Sequence, residues 1–262
     1  MPNVIYIHGA NADSDNFNYY KLTIPEHKSI APNYDMTDDP FDLVMSFKRM
    51  KIRDLGEEPA VLVGHSFGGI LGAWFASVCP EHVKHLITIA TPWEGTPVAR
   101  IFGYFWRNQD VFKNTMPGAT VLAMLQEKKY DGPHTNIICT RGANPVAGIG
   151  GKANDGMISC DSQSKTPPSF KMTNTHHIEA GHSGVLLNNN VVEILSSIIH
   201  GESNEKRLVD TEWYFRRRTS KRVDRFTSNK SKFDCKNRDA WKISCTRTKR
   251  KIRSIQKNKW TN

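Results

Sequence analysis

The sequence predicts an α/β fold with a mainly parallel sheet of about six strands flanked by helices, and two observations support this prediction. Short apolar runs of strand length alternate with segments in which apolar residues recur at helical spacing. Gly, Pro or Asn bounds several of the runs, as is typical where the chain turns. Alternating strands and helices form βαβ units, whose parallel strands are covered by helices on both faces.

Candidate strands and helices follow one another along the chain. Strands are expected at residues 3–7, 27–34, 60–63, 83–90, 135–140 and 171–179. The segment 39–55 has apolar residues at helical spacing after an Asp-rich start, which is typical of the amino end of a helix. Residues 68–78 are apolar on all sides, as in a helix buried against a sheet. Residues 191–199 predict a closing helix that ends at Gly201.

Charge divides the chain into a body, residues 1–202, and a basic tail, residues 203–262. The 262 residues carry a net charge of +10, but 20 of the 36 Lys and Arg and only 7 of the 26 Asp and Glu lie in residues 201–262. That end of the chain therefore has a net charge of +13, and the rest has −3. Aliphatic residues are few in the tail, so we expect it to be disordered or weakly ordered.

Three interpretations of the basic tail stay open. It binds nucleic acid or another anionic surface, it is a solvated extension without a specific partner, or it lies outside the functional part of the protein. The first interpretation keeps a second class of function open, a binding protein whose body is only a scaffold. Aromatic residues suited to base stacking or interfacial anchoring alternate with the basic ones: Trp213, Tyr214, Phe215, Trp241 and Trp260.

The amino terminus and the cysteines favour a cytoplasmic location. No run approaches the roughly 18 apolar residues of a transmembrane segment. The chain enters a strand at once, without the basic and apolar regions of a secretory signal. The five cysteines are an odd number at scattered spacing, and Cys79 and Cys139 lie in apolar segments, where a free thiol packs like a small hydrophobe. This pattern suits a reducing compartment.

The motif G-H-S-F-G at residues 64–68 follows a strand and opens the buried helix. A chance G-x-S-x-G occurs in about one chain in ten of this length, so its position and its partners decide what it means. Ligands of a parallel sheet bind at the carboxyl ends of the strands, where a nucleophile elbow stands. Small residues at Gly64 and Gly68 leave room for the tight turn. This context predicts that Ser66 is a nucleophile.

An acid should follow Ser66 in the chain, because a serine nucleophile needs a base that an acid orients. In α/β enzymes of this kind the order is Ser, then Asp or Glu, then His. Asp155, on a turn after the fifth strand, is the predicted acid, and a turn-forming role is its alternative. Asp161 is the second choice, and Asp131 is badly placed because it precedes its strand.

The predicted base is His182, which follows the last strand and precedes the closing helix. His176 and His177 lie within the strand itself, so we expect structural or surface roles for them. This pair also lacks the further ligands of a zinc site. The chemistry that the motif predicts requires neither a metal nor an organic cofactor.

Two backbone N–H groups are expected to form an oxyanion hole. One belongs to Phe67, the residue after the predicted nucleophile. The other lies in the loop after the first strand and is assigned to Ala10, with Asn11 as the alternative. His8 and His65 are expected to be structural residues beneath this site.

With these motifs, the sequence resembles the α/β-hydrolase superfamily, and within it the lipase and esterase branch related to bacterial triacylglycerol lipases. The resemblance implies a serine hydrolase that cleaves carboxylic (acyl) esters through an acyl-enzyme; a thioesterase or another acyl hydrolase with the same triad is the alternative. Only three strand candidates precede the motif, so two amino-terminal edge strands of the family's full sheet are expected to be absent. The stretches that carry the resemblance are VIYIHGA at 4–10, VLVGHSFGG at 61–69, ITIATPWEGTPVA at 87–99, MPGATVLAML at 116–125, NDGMIS at 154–159 and GHSGVL at 181–186.

Residues 92–134 form an insertion that is too long for a simple connection between strands. In this fold such insertions are expected to form a cap or lid over the strand ends. Its aromatic residues either form a wall for an acyl group or pack as the small core of the cap. We therefore expect a small-molecule or lipid acyl ester as substrate. The apolar residues concerned are Ile101, Phe102, Tyr104, Phe105, Trp106 and Phe112.

Overall fold

The computed structural model describes residues 1–24, 26–34, 38–99, 117–148 and 151–201. Within them six strands form one sheet in the order β2-β1-β3-β4-β5-β6, and every neighbouring pair is parallel. The predicted parallel sheet of about six strands is therefore confirmed. The strands are β1 (Asn3–Ile7), β2 (Lys28–Ile30), β3 (Ala60–His65), β4 (Val83–Ile89), β5 (Tyr130–Cys139) and β6 (Phe170–Ile178).

Helices connect the strands and cover both faces of the sheet. They are α1 (Asn18–Thr23), α2 (Pro40–Leu55), α3 (Phe67–Val78), α4 (Thr120–Gln126), α5 (Cys160–Ser164) and α6 (Asn189–His200). Single 3-10 turns lie at Ser14–Phe17, Pro80–His82 and Gly184–Leu187. The predicted helices correspond to α2, α3 and α6, whereas α1, α4 and α5 are short helices that the periodicity of the sequence did not indicate.

The ends of the predicted helices follow from their capping residues. The Asp39 side chain accepts a hydrogen bond from the amide of Phe41 at the start of α2, and Pro40 occupies the first turn. The side chain of Asn188 caps α6 in the same way. Gly201 ends α6 in the left-handed conformation, with φ of 69°.

β5 and β2 differ most from their predicted limits. β5 begins at Tyr130 rather than at residue 135, so the insertion ends before residue 130. Gly132 and Pro133 obscure the strand pattern there, and the pairing with β6 shifts register between Tyr130 and His134. β2 is shorter than expected, because only Lys28–Ile30 pairs with β1 at the edge of the sheet.

The hydrophobic core lies in two layers, one on each face of the sheet. Successive side chains of a strand point to opposite faces, and all five residues of β1 are buried. Ile5 and Ile7 pack in the layer that α2, α3 and α4 cover, whereas Val4 and Tyr6 pack in the layer that α1 and α6 cover. Burial on both faces explains why the central strands are continuous apolar runs.

Several predictions fall on parts of the chain outside the described residues. These are the apolar residues of the insertion at 101–112 and the basic tail at 203–262, so the lid and the role of the tail stay predictions. In the ranges that are described, no helix has the length and apolar character needed to cross a membrane.

The amino end of α3 packs directly against the carboxyl end of β1. A Cβ atom on Gly68 would lie far inside van der Waals contact with the carbonyl oxygens of Ile7 and His8. A Cβ atom on Gly64 would meet the backbone of Gly68 in the same way. Both glycines are therefore needed for this close approach, as the motif predicted.

We expect Gly68→Ala to destabilise the fold by at least about 2 kcal/mol, because the added methyl group forces α3 away from the backbone of β1. Gly72→Ala is the matched control in the same helix, since a Cβ atom there would lie 3.4 Å from the nearest atom, Cδ1 of Leu86. Alanine has a higher helix propensity than glycine, so the free energy of unfolding of Gly72→Ala should stay within about 1 kcal/mol of wild type. Urea unfolding of both variants tests this, and equal effects would contradict it.

Candidate active site

Ser66 lies on a sharp turn between β3 and α3. Its φ of 55° and ψ of −123° place it in a region that residues other than glycine rarely adopt. The amide of Ser66 donates to the carbonyl of Ile89 at 2.8 Å, and the amide of Gly69 donates to the carbonyl of Ser66 at 2.9 Å. Hydrogen bonds on both sides therefore hold a strained backbone, as at a nucleophile elbow.

The three residues predicted as nucleophile, base and acid lie in one hydrogen-bonded chain. Nε2 of His182 is 3.1 Å from Oγ of Ser66, and Nδ1 of His182 is 2.7 Å from Oδ2 of Asp155. The side chain of Asp155 is fully buried, whereas that of His182 is 13% exposed. These residues are far apart in the sequence, and the carboxyl ends of β3, β5 and β6 bring them together.

Hydrogen-bond donors surround the carboxylate of Asp155. Its Oδ1 accepts from the amides of Met157 and Ile158, at 2.8 and 2.7 Å. Its Oδ2 accepts from His182 and, at 3.2 Å, from the side-chain amide of Gln163. The backbone carbonyl of Asp155 also accepts from the amide of His182 at 2.9 Å. Hydrogen bonds to both oxygens offset the cost of burying this group.

Gln163 is a supporting residue that the sequence analysis missed. It is fully buried on α5, where its side-chain oxygen accepts from the amide of Cys139 at 2.8 Å while its nitrogen donates to Asp155. Gln163 thus fixes the acid to the end of β5. No local pattern singles it out, because its role depends on how α5 packs against that strand.

The loop after β4 is tied to the loop that carries Asp155. Oγ of Ser162 donates to the carbonyl of Gly95 at 2.7 Å and accepts from the amide of Glu94 at 3.2 Å. Oγ1 of Thr96 donates to the carbonyl of Met157. The loop after β4 is therefore hydrogen-bonded both to α5 and to the loop that carries Asp155.

The alternative acids and histidines lie elsewhere. Asp161 is exposed and pairs with Lys152, and Asp131 is exposed and pairs with Lys129. On β6, His176 is half-buried and His177 is exposed. In the described part of the chain no cluster of three or more His, Cys, Asp or Glu forms a possible metal site.

The loop after β1 passes beside Ser66. A Cβ atom on Gly9 would lie 3.0 Å from Cβ of Ser66. The next residues, Ala10 and Asn11, form a turn, and their amides donate to no acceptor within the described residues. This placement suits the predicted oxyanion donor in the loop, and the assignment to Ala10 and Phe67 stays a prediction.

The two histidines beside these loops have backbone partners. Nδ1 of His8 donates to the carbonyl of Gly9 at 2.9 Å, and its ring stacks on Tyr34 with centroids 4.1 Å apart. Nε2 of His65 donates to the carbonyl of His182 at 2.8 Å. Burial, and then the neighbouring His182, lowers the pKa of His65 to about 3.

Gln163→Leu should lower the free energy of unfolding by about 3 kcal/mol, because it leaves the buried amide of Cys139 without its acceptor and removes a donor from Asp155. The control is Ser164→Ala in the same helix, where an exposed hydroxyl should account for less than about 0.5 kcal/mol. Urea unfolding curves of both variants measure the difference. Similar curves for the two variants would show that the Gln163 hydrogen bonds do not stabilise the fold.

Acid should destabilise the protein through two buried histidines, His65 and His134. Burial lowers the pKa of each to about 3, whereas exposed histidines in the unfolded chain titrate near 6.5. The unfolded state therefore takes up protons first as the pH falls, and the folded state loses stability between those values. Each residue should contribute a slope of about 1.4 kcal/mol per pH unit below roughly pH 5.5.

Urea unfolding at a series of pH values between 7 and 4 measures that slope. His134→Gln is the control variant, because glutamine cannot take up the proton. Its slope should be shallower than wild type by the contribution of one histidine. An unchanged slope would mean that His134 binds protons equally in both states.

Parts of the chain are similar to known proteins. Residues 27–115 match the family model described as the alpha/beta hydrolase fold. A protein of Haemophilus influenzae named putative esterase/lipase is 30% identical over 105 residues, which cover 36% of this chain and 37% of that protein. Homoserine O-acetyltransferase of Thermus thermophilus is 42% identical over 53 residues, 20% of this chain and 14% of the enzyme. The matched stretches thus cover 37% of the length of the first relative and 14% of the second.

Solved structures show the same fold at low sequence identity. The mature lipase BlEst2 of Bacillus licheniformis aligns with a TM-score of 0.56 at 16% identity, over 76% of this chain and 91% of that one. A thioesterase domain from the curacin biosynthetic pathway aligns with a TM-score of 0.50, also at 16% identity. The alignment covers 76% of this chain and 90% of that domain. Together with the parallel six-stranded sheet, these findings show that the chain has the α/β-hydrolase fold.

Proposed function

We propose that this protein is a serine hydrolase that cleaves carboxylic (acyl) esters through an acyl-enzyme, with Ser66 as nucleophile, His182 as base and Asp155 as acid. The observation that carries the proposal is the chain of two hydrogen bonds from Oγ of Ser66 through His182 to Asp155, at 3.1 and 2.7 Å. A nucleophile within reach of a base that a third group orients is the arrangement needed for nucleophilic catalysis.

The proton positions follow from the partners of His182. A carboxylate only accepts hydrogen bonds, so Nδ1 of His182 donates to Asp155. In the proposed mechanism the imidazole is neutral, and Nε2 presents its lone pair to Oγ of Ser66. When Oγ attacks the carbonyl carbon, Nε2 takes the hydroxyl proton. The resulting imidazolium is stabilised by Asp155 and then protonates the leaving alcohol. Water deacylates the enzyme by the same steps, with His182 again acting as base.

The tetrahedral intermediate needs donors for its oxyanion. In the proposed mechanism these are the backbone amides of Phe67, at the amino end of α3, and of Ala10, in the loop after β1. The passage of that loop beside Ser66 supports this assignment. Removal of one such donor typically costs about 10²–10³ in rate.

The substrate class rests on the relatives. A putative esterase/lipase and a solved lipase favour an acyl ester of a small molecule or lipid. The thioesterase domain keeps a thioester as the alternative. Binding of nucleic acid or an anionic surface by residues 203–262 stays a prediction from the basic and aromatic residues of the sequence.

A fluorophosphonate probe tests the nucleophile without knowledge of the substrate. Wild type should be labelled, whereas Ser66→Ala and His182→Ala should not be, and turnover of a p-nitrophenyl ester should fall by about 10³–10⁶ in each. Ser77→Ala, a half-buried serine in α3 whose hydroxyl donates to the carbonyl of Trp74, is the matched control and should keep its label.

Labelling of folded Ser66→Ala, or no labelling of folded wild type, would contradict the proposal. Where wild type is active, a series of p-nitrophenyl esters of increasing acyl length, beside the matching thioesters, separates an esterase from a thioesterase. A higher kcat/KM for the thioesters would favour the alternative.

A further inference from the structure

His65 lies at the carboxyl end of β3, directly before Ser66, and reaches the loop of the proposed base. Its ring is buried, with 4% of the residue exposed. Nε2 of His65 is 2.8 Å from the carbonyl oxygen of His182, and the two ring centroids are 4.8 Å apart. One residue therefore touches the segments that carry both the nucleophile and the base.

The hydrogen bond defines the tautomer of His65. A carbonyl oxygen only accepts, so Nε2 must carry the proton. Nδ1 then holds the lone pair, and it has no hydrogen-bond partner within the described residues. It faces the loop after β1, because a Cβ atom on Gly9 would lie 3.4 Å from it. The ring thus fills the space between the three segments of the proposed site.

The backbone of His182 is held at both of its polar groups. Its amide donates to the carbonyl of Asp155, and its carbonyl accepts from His65. The hydrogen bond from His65 connects the backbone of the proposed base to the end of β3. Its loss would let the loop of His182 move relative to Ser66, and a shift of about 1 Å can cost 10²-fold in rate.

The donor at this position also needs to be uncharged. In the proposed mechanism His182 becomes an imidazolium, and a cation at the distance of the His65 ring would disfavour it. Burial keeps the pKa of His65 at about 3, so the ring stays neutral near pH 7. A neutral imidazole supplies the hydrogen bond without the opposing charge that Lys or Arg would bring.

We propose that His65 is a positioning residue, which fixes the backbone of His182 through its Nε2–H group and so holds the base within reach of Oγ of Ser66. This inference rests on the proposed function, because it assigns a role to His65 only if His182 acts on Ser66. His65 does not touch the reacting atoms in this mechanism, and its effect is exerted through His182.

The test compares three substitutions of His65 by steady-state kinetics with a p-nitrophenyl ester that wild type hydrolyses. His65→Phe keeps a ring but has no donor, His65→Asn has a donor that is too short, and His65→Gln has an amide nitrogen near the position of Nε2. The expected kcat falls by about 10- to 100-fold in the Phe and Asn variants, with KM within about twofold. His65→Gln should restore kcat to within about fivefold of wild type.

His134→Phe is the matched control, because His134 is also fully buried and its Nε2 is hydrogen-bonded, here to Oγ1 of Thr88 at 2.8 Å in the middle of the sheet. It should lose thermal stability and keep kcat within about twofold per folded molecule. The proton NMR spectrum gives a second readout, a low-field Nδ1–H signal of His182 that should persist in His65→Gln and broaden in His65→Asn.

Three results would overturn the inference: wild-type kcat in folded His65→Phe and His65→Asn, an equal fall in His65→Gln, or an equal fall in His134→Phe. Failure of all three His65 variants to fold would also overturn it, since His65 would then act on the fold and not on His182. Ser66→Ala separates the two proposals. If Ser66→Ala keeps its activity, the proposed function fails. If Ser66→Ala loses its activity while the His65 variants keep theirs, the proposed function stands and the role of His65 fails.

Discussion

The close contact between the amino end of α3 and the carboxyl end of β1 is the constraint on which the candidate site depends. Gly68 permits this contact because it has no Cβ atom to meet the carbonyls of Ile7 and His8. The same contact turns the chain sharply at Ser66, where φ is positive. It also brings the loop after β1 beside the serine. One packing requirement therefore places a hydroxyl group, a helix amino end and the loop after β1 in the same small volume.

The parallel sheet supplies the other two members of the site. β3, β5 and β6 end at the same edge of the sheet, so segments separated by 116 and 27 residues meet there. Each of these segments is then fixed by hydrogen bonds that cross between loops. Gln163 fixes the acid to the end of β5, and His65 connects the end of β3 to the loop of His182. Both contacts are made by residues at strand or helix positions, which are more rigid than the loops that they hold.

Sequence patterns predict the elements in which apolar residues form a continuous run or recur at helical spacing. The sequence predicts β1 with its observed limits. The order of Ser66, Asp155 and His182 after successive strands predicts that they meet, and their side chains lie within hydrogen-bonding distance. The patterns failed where structure depends on contacts from outside the segment. α1, α4 and α5 are too short for their periodicity to be distinctive, and the start of β5 was obscured by Gly132 and Pro133. Gln163 was missed because its importance arises only when α5 packs against the end of β5.

Apart from His182 itself, the groups that donate to Asp155 and to the carbonyl of His182 are uncharged. The donors to Asp155 are two backbone amides, the Gln163 side chain and His182, and the donor to the carbonyl of His182 is an imidazole that burial keeps uncharged. A cationic side chain in any of these places would form an ion pair with Asp155 or repel a protonated His182. With neutral supports, the carboxylate of Asp155 stays available, in the proposed mechanism, to the positive charge that His182 gains. In the proposed mechanism, His182 is thus held in place without weakening the electrostatic interaction that its protonated ring makes with Asp155.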